Sequence, residues 1–438
     1  MQTTRHWLTS LLIVLPLTTA ARGSDLDALM ARFWAATTPE ERTDVGQEIA
    51  ATDATFDAVL SRLRRGRSYS ESVPRGRLLR ERVGVNGLRH PYMILVPEDY
   101  SPDVRWPVRV DLHGGMGAEE WAELDGSWSP GWREARGQIV VVPAGWWDSM
   151  WWEWSQVENV EAILSEVRRT WNIDEDRVVV YGSSDGGAGL FFHAMRSPDR
   201  YASYVGHVAP PDRLVRADFR PDGQLHLSNL AHQRFHLGYG EKDRLVPLRF
   251  IERYMELFRA NGADIDWYSV AGQDHSMRIP PERERELARF LRNSRRDALP
   301  NKLSWATERT DRYARRSWLV IDELEEPPED GAVDESNLLP RLGTPLQLRG
   351  PTSPRVPWGR VELTREGNRI TAVTRRVERF RVLLSPDELD LSQPVVVVVN
   401  GEIAFEGTVE PSLETLLTWA AIDDERARLF AAELAFEP

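Results

Sequence analysis

The 438-residue chain has no cysteine. Disulfides, a thiolate nucleophile and cysteine-bearing zinc sites are therefore excluded. No apolar run is long enough for a comfortable membrane span, which needs about 20 residues. The formal net charge is −13 and no face is dense in Lys and Arg, which excludes a nucleic-acid partner, since backbone binding depends on clustered positive charge. Short basic runs such as Arg64-Arg65-Gly66-Arg67 read as solvated helix ends. No internal repeat is visible. Histidine is sparse, with nine in all and none beyond His275.

What is present begins with Arg5 and His6 ahead of an apolar core from Leu8 to Leu17 and the small residues Thr18, Thr19, Ala20 and Ala21. This reads as a secretory signal over 1–23, cleaved after Ala21 or Gly23, with an uncleaved anchor as the alternative. The product is expected to be secreted or periplasmic, with no integral membrane segment after cleavage. Residues 24–75 carry helical spacing, with Leu26, Leu29, Met30, Phe33 and Trp34 on one face and Phe56, Val59, Leu60 and Leu63 on another.

From 76 to 299 strands alternate with helices, which implies a mostly parallel sheet covered on both faces. The strands are Tyr92 to Pro97, Val108 to His113, Ile139 to Pro143, Val178 to Tyr181, Tyr204 to Ala209, Phe235 to Gly240 and Ile265 to Val270. Between them, an amphipathic helix from Ser155 is expected to open on a Ser155/Glu158 capping box. From 300 to 438 strands follow one another without helices, and Asn400-Gly401 is a hairpin turn signal. The fold class is α/β, followed by a smaller β-sandwich-like region ending in one or two helices from Ser412. The acidic stretch from Asp322 to Glu335 lacks the alternating spacing of a calcium loop and reads as solvated.

Gly182-Ser183-Ser184-Asp185-Gly186 sits between a buried strand and an apolar helix. A serine at such an apex is forced into a cramped backbone, and small flanking residues let it stand clear of the sheet. The frame selects Ser184, because a shift of one residue would put Tyr181 and Asp185 where glycines are needed. A serine hydroxyl needs a base, and the base needs an acid to hold its tautomer. His193, on the following helix, and His207 and His236, inside apolar strands, read as structural, as does His113 in its glycine turn. His90, His226 and His232 have no motif around them. His275 follows a strand, in a turn before the last helix of the α/β region, where a loop can carry its ring over the strand ends. Asp243 is the matching acid, with Glu241 its local competitor. One oxyanion donor is expected from the amide of Asp185, and a second from Gly115 or Met116 in the turn after His113.

The run from Tyr92 to Leu291 resembles an α/β-hydrolase. Within that fold it is similar to secreted esterases related to polyhydroxybutyrate depolymerases and feruloyl esterases, and more loosely to prolyl-oligopeptidase-like peptidases. His113-Gly114-Gly115, Pro143-Ala144-Gly145-Trp146, Gly182 to Gly187, Asp243 with Val246-Pro247, and His275 carry the likeness. It implies a Ser184, Asp243, His275 triad, an acyl-enzyme, and no cofactor or metal. The missing cysteines depart from many secreted esterases of the group. The substrate expected is a small-molecule or polymer-linked ester, with a peptide as the alternative bond and a non-catalytic polysaccharide-binding role as a third reading. Oligomeric state is not specified by the sequence. Eight tryptophans fall between Trp121 and Trp154. Trp146, Trp151 and Trp152 are candidates for a substrate wall, and packing beneath the loop is the alternative.

Overall fold

The computed structural model describes residues 18–115, 136–342 and 351–438. Three helices come first, α1 (Thr18–Ala35), α2 (Pro39–Ala50) and α3 (Phe56–Arg65). Each of the last two starts where a threonine hydroxyl accepts a first-turn amide: Thr38 from Glu41, and Thr55 from Ala58. Helix α3 stops at Gly66, whose φ of 76° suits glycine. The signal expected over 1–23 lies mostly outside the described residues, and α1 runs across its proposed cleavage points. Among the described residues no helix is long and apolar enough to cross a membrane.

The α/β region follows as β1 (Gly76–Val83), β2 (Arg89–Val96), β3 (Trp106–Leu112), β4 (Ile139–Pro143), α4 (Trp154–Thr170), β5 (Ile173–Ser183), α5 (Asp185–Arg196), β6 (Ser203–His207), β7 (Arg234–Gly240), α6 (Leu248–Ala260), β8 (Asp264–Val270) and α7 (Pro281–Arg292). The eight strands form one sheet in the order β1-β2-β4-β3-β5-β6-β7-β8. Strand β2 runs antiparallel to both its neighbours, and every pairing from β4 through β8 is parallel. This is the strand order of the α/β-hydrolase fold. Its register aligns the carboxyl ends: Leu112 opposite Gly182, Ser183 opposite His207, and Gly240 opposite Val270. Ligand sites in open parallel sheets form at such ends. The expected capping box is absent. The N-cap of helix α4 lies two residues earlier, at Glu153, with no side-chain cap, and Glu158 is held instead by both terminal guanidinium nitrogens of Arg82 at 3.0 Å.

Beyond α7 come β9 (Lys302–Thr307), β10 (Arg315–Arg316), β11 (Leu319–Leu324), β12 (Gly359–Glu366), β13 (Arg369–Arg375), β14 (Val377–Leu384), β15 (Val395–Val399), β16 (Glu402–Gly407), α8 (Leu413–Asp423) and β17 (Ala432–Phe436). They make a four-stranded sheet, β10-β11-β14-β17, and a five-stranded sheet, β16-β15-β13-β12-β9. Asn400 and Gly401 turn β15 into β16 with φ of 52° and 93°. The acidic stretch is largely exposed, with ion pairs from Asp322 to Arg381, Glu323 to Arg379 and Asp334 to Arg375. One expectation, an ending in helices, is corrected. The chain ends in a strand, β17 against β14, where the Phe436 and Phe380 rings pack at 5.5 Å, tilted by 34°. Helix α8 turns its apolar face to the N-terminal helices, where Leu416, Leu417 and Ala420 share a core with Phe33, Ile49 and Leu63.

Three successive carboxylates at the end of α8 fasten these parts together. Asp424 is buried against Arg42, Arg67 and Arg168 and accepts a 2.6 Å hydrogen bond from Ser165. Asp423 takes Arg315 and Arg428, while Glu425 takes Arg200, Arg296 and Arg428. Burial alone would raise the Asp424 carboxyl, but the surrounding guanidiniums overcome it and hold the pKa at about 2. The folded value lies below the unfolded one of about 3.9, so this stabilisation is complete above pH ~4 and is lost as the pH falls toward ~2. We expect the thermal midpoint to decline through that window by the equivalent of about 2–3 kcal/mol from this group. Asp424→Asn should lower the neutral-pH plateau and flatten the acid limb; an unchanged acid limb in calorimetric scans would refute the assignment.

Candidate active site

The loop between β5 and α5 is shaped by close backbone approach. A Cβ at Gly186 would be driven into the carbonyl of Leu112, and one at Gly182 into the carbonyl of Gly186. With both bare, the helix can start directly over the end of β3. Ser184, between them, takes φ 51° and ψ −114°, a conformation that L-residues rarely adopt. Its amide donates to His207 O at 3.0 Å. Ser184 stands at the N-cap of α5, yet its hydroxyl caps nothing. It lies 2.9 Å from His275 Nε2.

The structure brings the other two expected residues into the same chain of contacts. His275 Nδ1 is 2.8 Å from Asp243 Oδ2. With neutral imidazole, Nδ1–H donates to the carboxylate and Nε2 is left to accept the serine proton; this tautomer follows from the partners. Asp243 has a fully buried side chain, and its second oxygen accepts the amides of Leu245 at 2.8 Å and Val246 at 2.9 Å. Burial by itself would raise this carboxyl, but the His275 contact and the two amides outweigh it and hold the pKa below the ordinary range. Glu241, the competitor, accepts instead from the Gly272 amide. That bond joins the loops after β7 and β8, as does Lys242 N to Gln273 O at 2.7 Å. Gly240 packs so closely on the carbonyls of Gln273 and Asp274 that no side chain fits there.

Of the expected oxyanion donors, the Asp185 amide is at the first position of α5, in the first turn, whose N–H groups point out of the helix end. Gly115 has φ 73° and is exposed, one residue past Gly114, where a Cβ would sit 2.9 Å from Ser183 O and 3.0 Å from Ser184 Cβ. The turn therefore lies against the serine. Met116 is outside the described residues. His113 is structural: its Nε2 accepts the Gly145 amide at 3.0 Å and Nδ1 contacts Gly114 O at 2.9 Å. Burial lowers its pKa, which keeps that acceptor available. Burial also pushes His193 and His207 down to about 4.

The substrate-wall expectation for the tryptophans is corrected. Trp151 and Trp152 are 0% and 1% exposed and Trp146 is 6%, so they offer next to no surface to a ligand. Trp151 is wedged against Gly145 and Gly189 and donates from Nε1 to His113 O at 2.9 Å, so it buttresses the glycine turn from beneath. Trp152 donates to Phe219 O at 2.6 Å and meets that ring edge-on at 5.8 Å. Trp146 closes a small cluster with Met93, Leu95, Val140 and Val142. The aperiodic sequence of this loop concealed its depth. Trp147, at 45%, is the exposed one, while Trp121, Trp128 and Trp132 lie outside the described residues. Sequence reading also missed Arg213, whose Nη1 lies 2.9 Å from Asp185 Oδ1; a contact between segments so far apart leaves no local pattern.

No protein-family model and no curated protein matches the chain. Solved structures overlap it in part. A thermostable esterase aligns with 20% identity and a TM-score of 0.41, over 50% of this chain and 63% of its own. Puromycin hydrolase aligns with 20% identity and a TM-score of 0.40, over 52% and 40%. Dipeptidyl peptidase 4 of Porphyromonas gingivalis aligns with 14% identity and a TM-score of 0.37, over 49% and 35%. The chain thus spans less than two thirds of each, and the fold rests on strand order rather than on these overlaps.

Replacing Trp151 by Ala should cost about 3–5 kcal/mol in urea unfolding, as for a buried aromatic. Trp147→Ala should change stability by about 0.5 kcal/mol or less. The reverse ranking would restore the substrate-wall reading for Trp151.

Proposed function

We propose that the chain is a serine hydrolase that cleaves a carboxylic ester through an acyl-enzyme. The observation that carries this is the hydrogen-bonded chain from Ser184 Oγ through His275 to Asp243, aimed from a strained turn at the end of a parallel sheet. In the first half-reaction Ser184 Oγ bonds to the carbonyl carbon as its proton passes to His275 Nε2. The carbonyl π pair moves to oxygen, where the Asp185 amide and an amide of the 114–116 turn would hold it. Collapse breaks the bond to the alcohol, which leaves with the proton from His275. Water then repeats the sequence and releases the acid. Asp243 stays ionised throughout, and its depressed pKa supports that role. No cofactor enters these steps.

An alkoxide departs far more readily than an amide anion, whose nitrogen must be protonated before it can leave, so an ester makes the smaller demand on one general acid. The peptidase reading uses the same residues. A non-catalytic glycan-binding role loses its basis at Trp151 and Trp152, which are buried. Export to the periplasm or medium belongs to this proposal through the sequence of the first 23 residues.

Purified protein should be labelled by a fluorophosphonate and should hydrolyse p-nitrophenyl or feruloyl esters. Ser184→Ala should abolish labelling and lower kcat by at least ~10⁴-fold. Equal labelling of wild type and Ser184→Ala would reject the mechanism. Turnover of peptide amides at rates comparable to the esters would transfer the assignment to a peptidase.

A further inference from the structure

The residue after the nucleophile carries a negative charge. Asp185 offers its amide as an oxyanion donor, yet its carboxylate sits on that same residue, at the first turn of the helix that faces the reacting carbonyl. A helix start welcomes an aspartate. A developing oxyanion does not, because like charges a few ångströms apart in a partly desolvated site repel. An uncompensated Asp185 would oppose the rise in charge that its own backbone stabilises.

Arg213 is placed to cancel it. The 3₁₀ turn Pro211–Val215 packs on α5 and sets Arg213 Nη1 2.9 Å from Asp185 Oδ1. The guanidinium lies over the Phe219 ring at 5.0 Å. Phe219 is in turn fixed by Trp152, through the 2.6 Å bond to its carbonyl and the edge-on ring contact. Asp185 is 12% exposed at its side chain and Arg213 27%, so the pair is shielded enough for its charges to be felt. We propose that Arg213 is a positioning residue for the hydrolysis assigned to Ser184. By neutralising and orienting Asp185, it allows the amide of that residue to stabilise the oxyanion, with Trp152 and Phe219 as its support.

This inference rests on the serine-hydrolase reading, and the test separates the two. Phenylboronic acid bonds to Ser184 Oγ, and its boron becomes tetrahedral and anionic while the serine proton moves to His275. It therefore reports affinity for the charged state. Arg213→Met, Asp185→Asn and the double variant are compared in ester kinetics and in boronate inhibition, with thermal melts to confirm folding. Arg213→Met should lower kcat about 10- to 100-fold, short of the ~100- to 1,000-fold loss of an oxyanion donor, with KM little changed. It should weaken phenylboronic acid binding by a similar factor. Adding Asp185→Asn should restore most of both, and Arg213→Lys should retain most activity. If Arg213→Met matches wild type, or the double variant is as impaired as Arg213→Met, charge compensation is overturned. Wild type that neither binds the boronate nor reacts with a fluorophosphonate would instead overturn the hydrolase reading itself.

Discussion

The site depends on one steric constraint, the passage of the first turn of α5 across the end of β3. Gly186 lies against the Leu112 carbonyl and Gly182 against that of Gly186, with no space for a side chain at either. Everything chemical follows from that crossing. It turns the chain so sharply that Ser184 takes a positive φ. It also lifts the serine hydroxyl off the helix it would otherwise cap, and lays the Gly114 turn beside it. Such strain costs on the order of 1–3 kcal/mol and survives only where the surroundings over-determine it. Here α5 is buried along its whole length, and the Ser184 amide is tied to His207 O.

Electrostatics then divides the histidines. Four of them, His90, His193, His226 and His236, are buried and His207 is partly so, and for His90, His193, His207 and His226 the loss of water drives the pKa down. A ring in that state is packing with a polar edge. His275 is partly open and faces a fully buried carboxylate that already accepts two amides. Asp243 thus has one oxygen fixed by its own loop and the other committed to the imidazole, so the ring orientation is set by backbone geometry.

How much was legible follows from the range of each signal. Ser184, Asp243 and His275 each sit just beyond a buried strand, and sheet topology carries strand ends to one place, so local patterns were enough to bring them together. The expected core strands were legible for the same reason, since burial enforces continuous apolar runs such as Ile139 to Val142. The tryptophan loop was not, because depth depends on what packs above it: Gly145 and Gly189 make room for Trp151, and neither glycine advertises the fact. The Ser155 cap failed through competition, since Arg82 from β1 claims Glu158. Asp185 with Arg213 joins residues whose proximity only the folded chain creates.

The β-rich region bears on the site from two sides, although it supplies no histidine. At the far end of α5, Arg196 forms a paired contact of 2.9 and 2.8 Å with Glu308, just past β9. Asn229 bridges Met195 O to both backbone groups of Ala306. Helix α5 is thereby gripped about 17 Å from Ser184, given 1.5 Å per residue. Nearer the site, Pro351 and Ser353 hydrogen-bond the backbone of Ala217 and Val215, on the segment that carries Arg213 and Phe219. Buried ion pairs such as Arg196 with Glu308 give little net stability, because desolvation offsets their attraction, but they are costly to break singly and so fix one arrangement. The same holds at Asp423 to Glu425, where N-terminal helix, sheet and C-terminal segment meet. The second region is therefore a frame for α5 and for the turn that carries Arg213, and its core is continuous with that of the eight-stranded sheet.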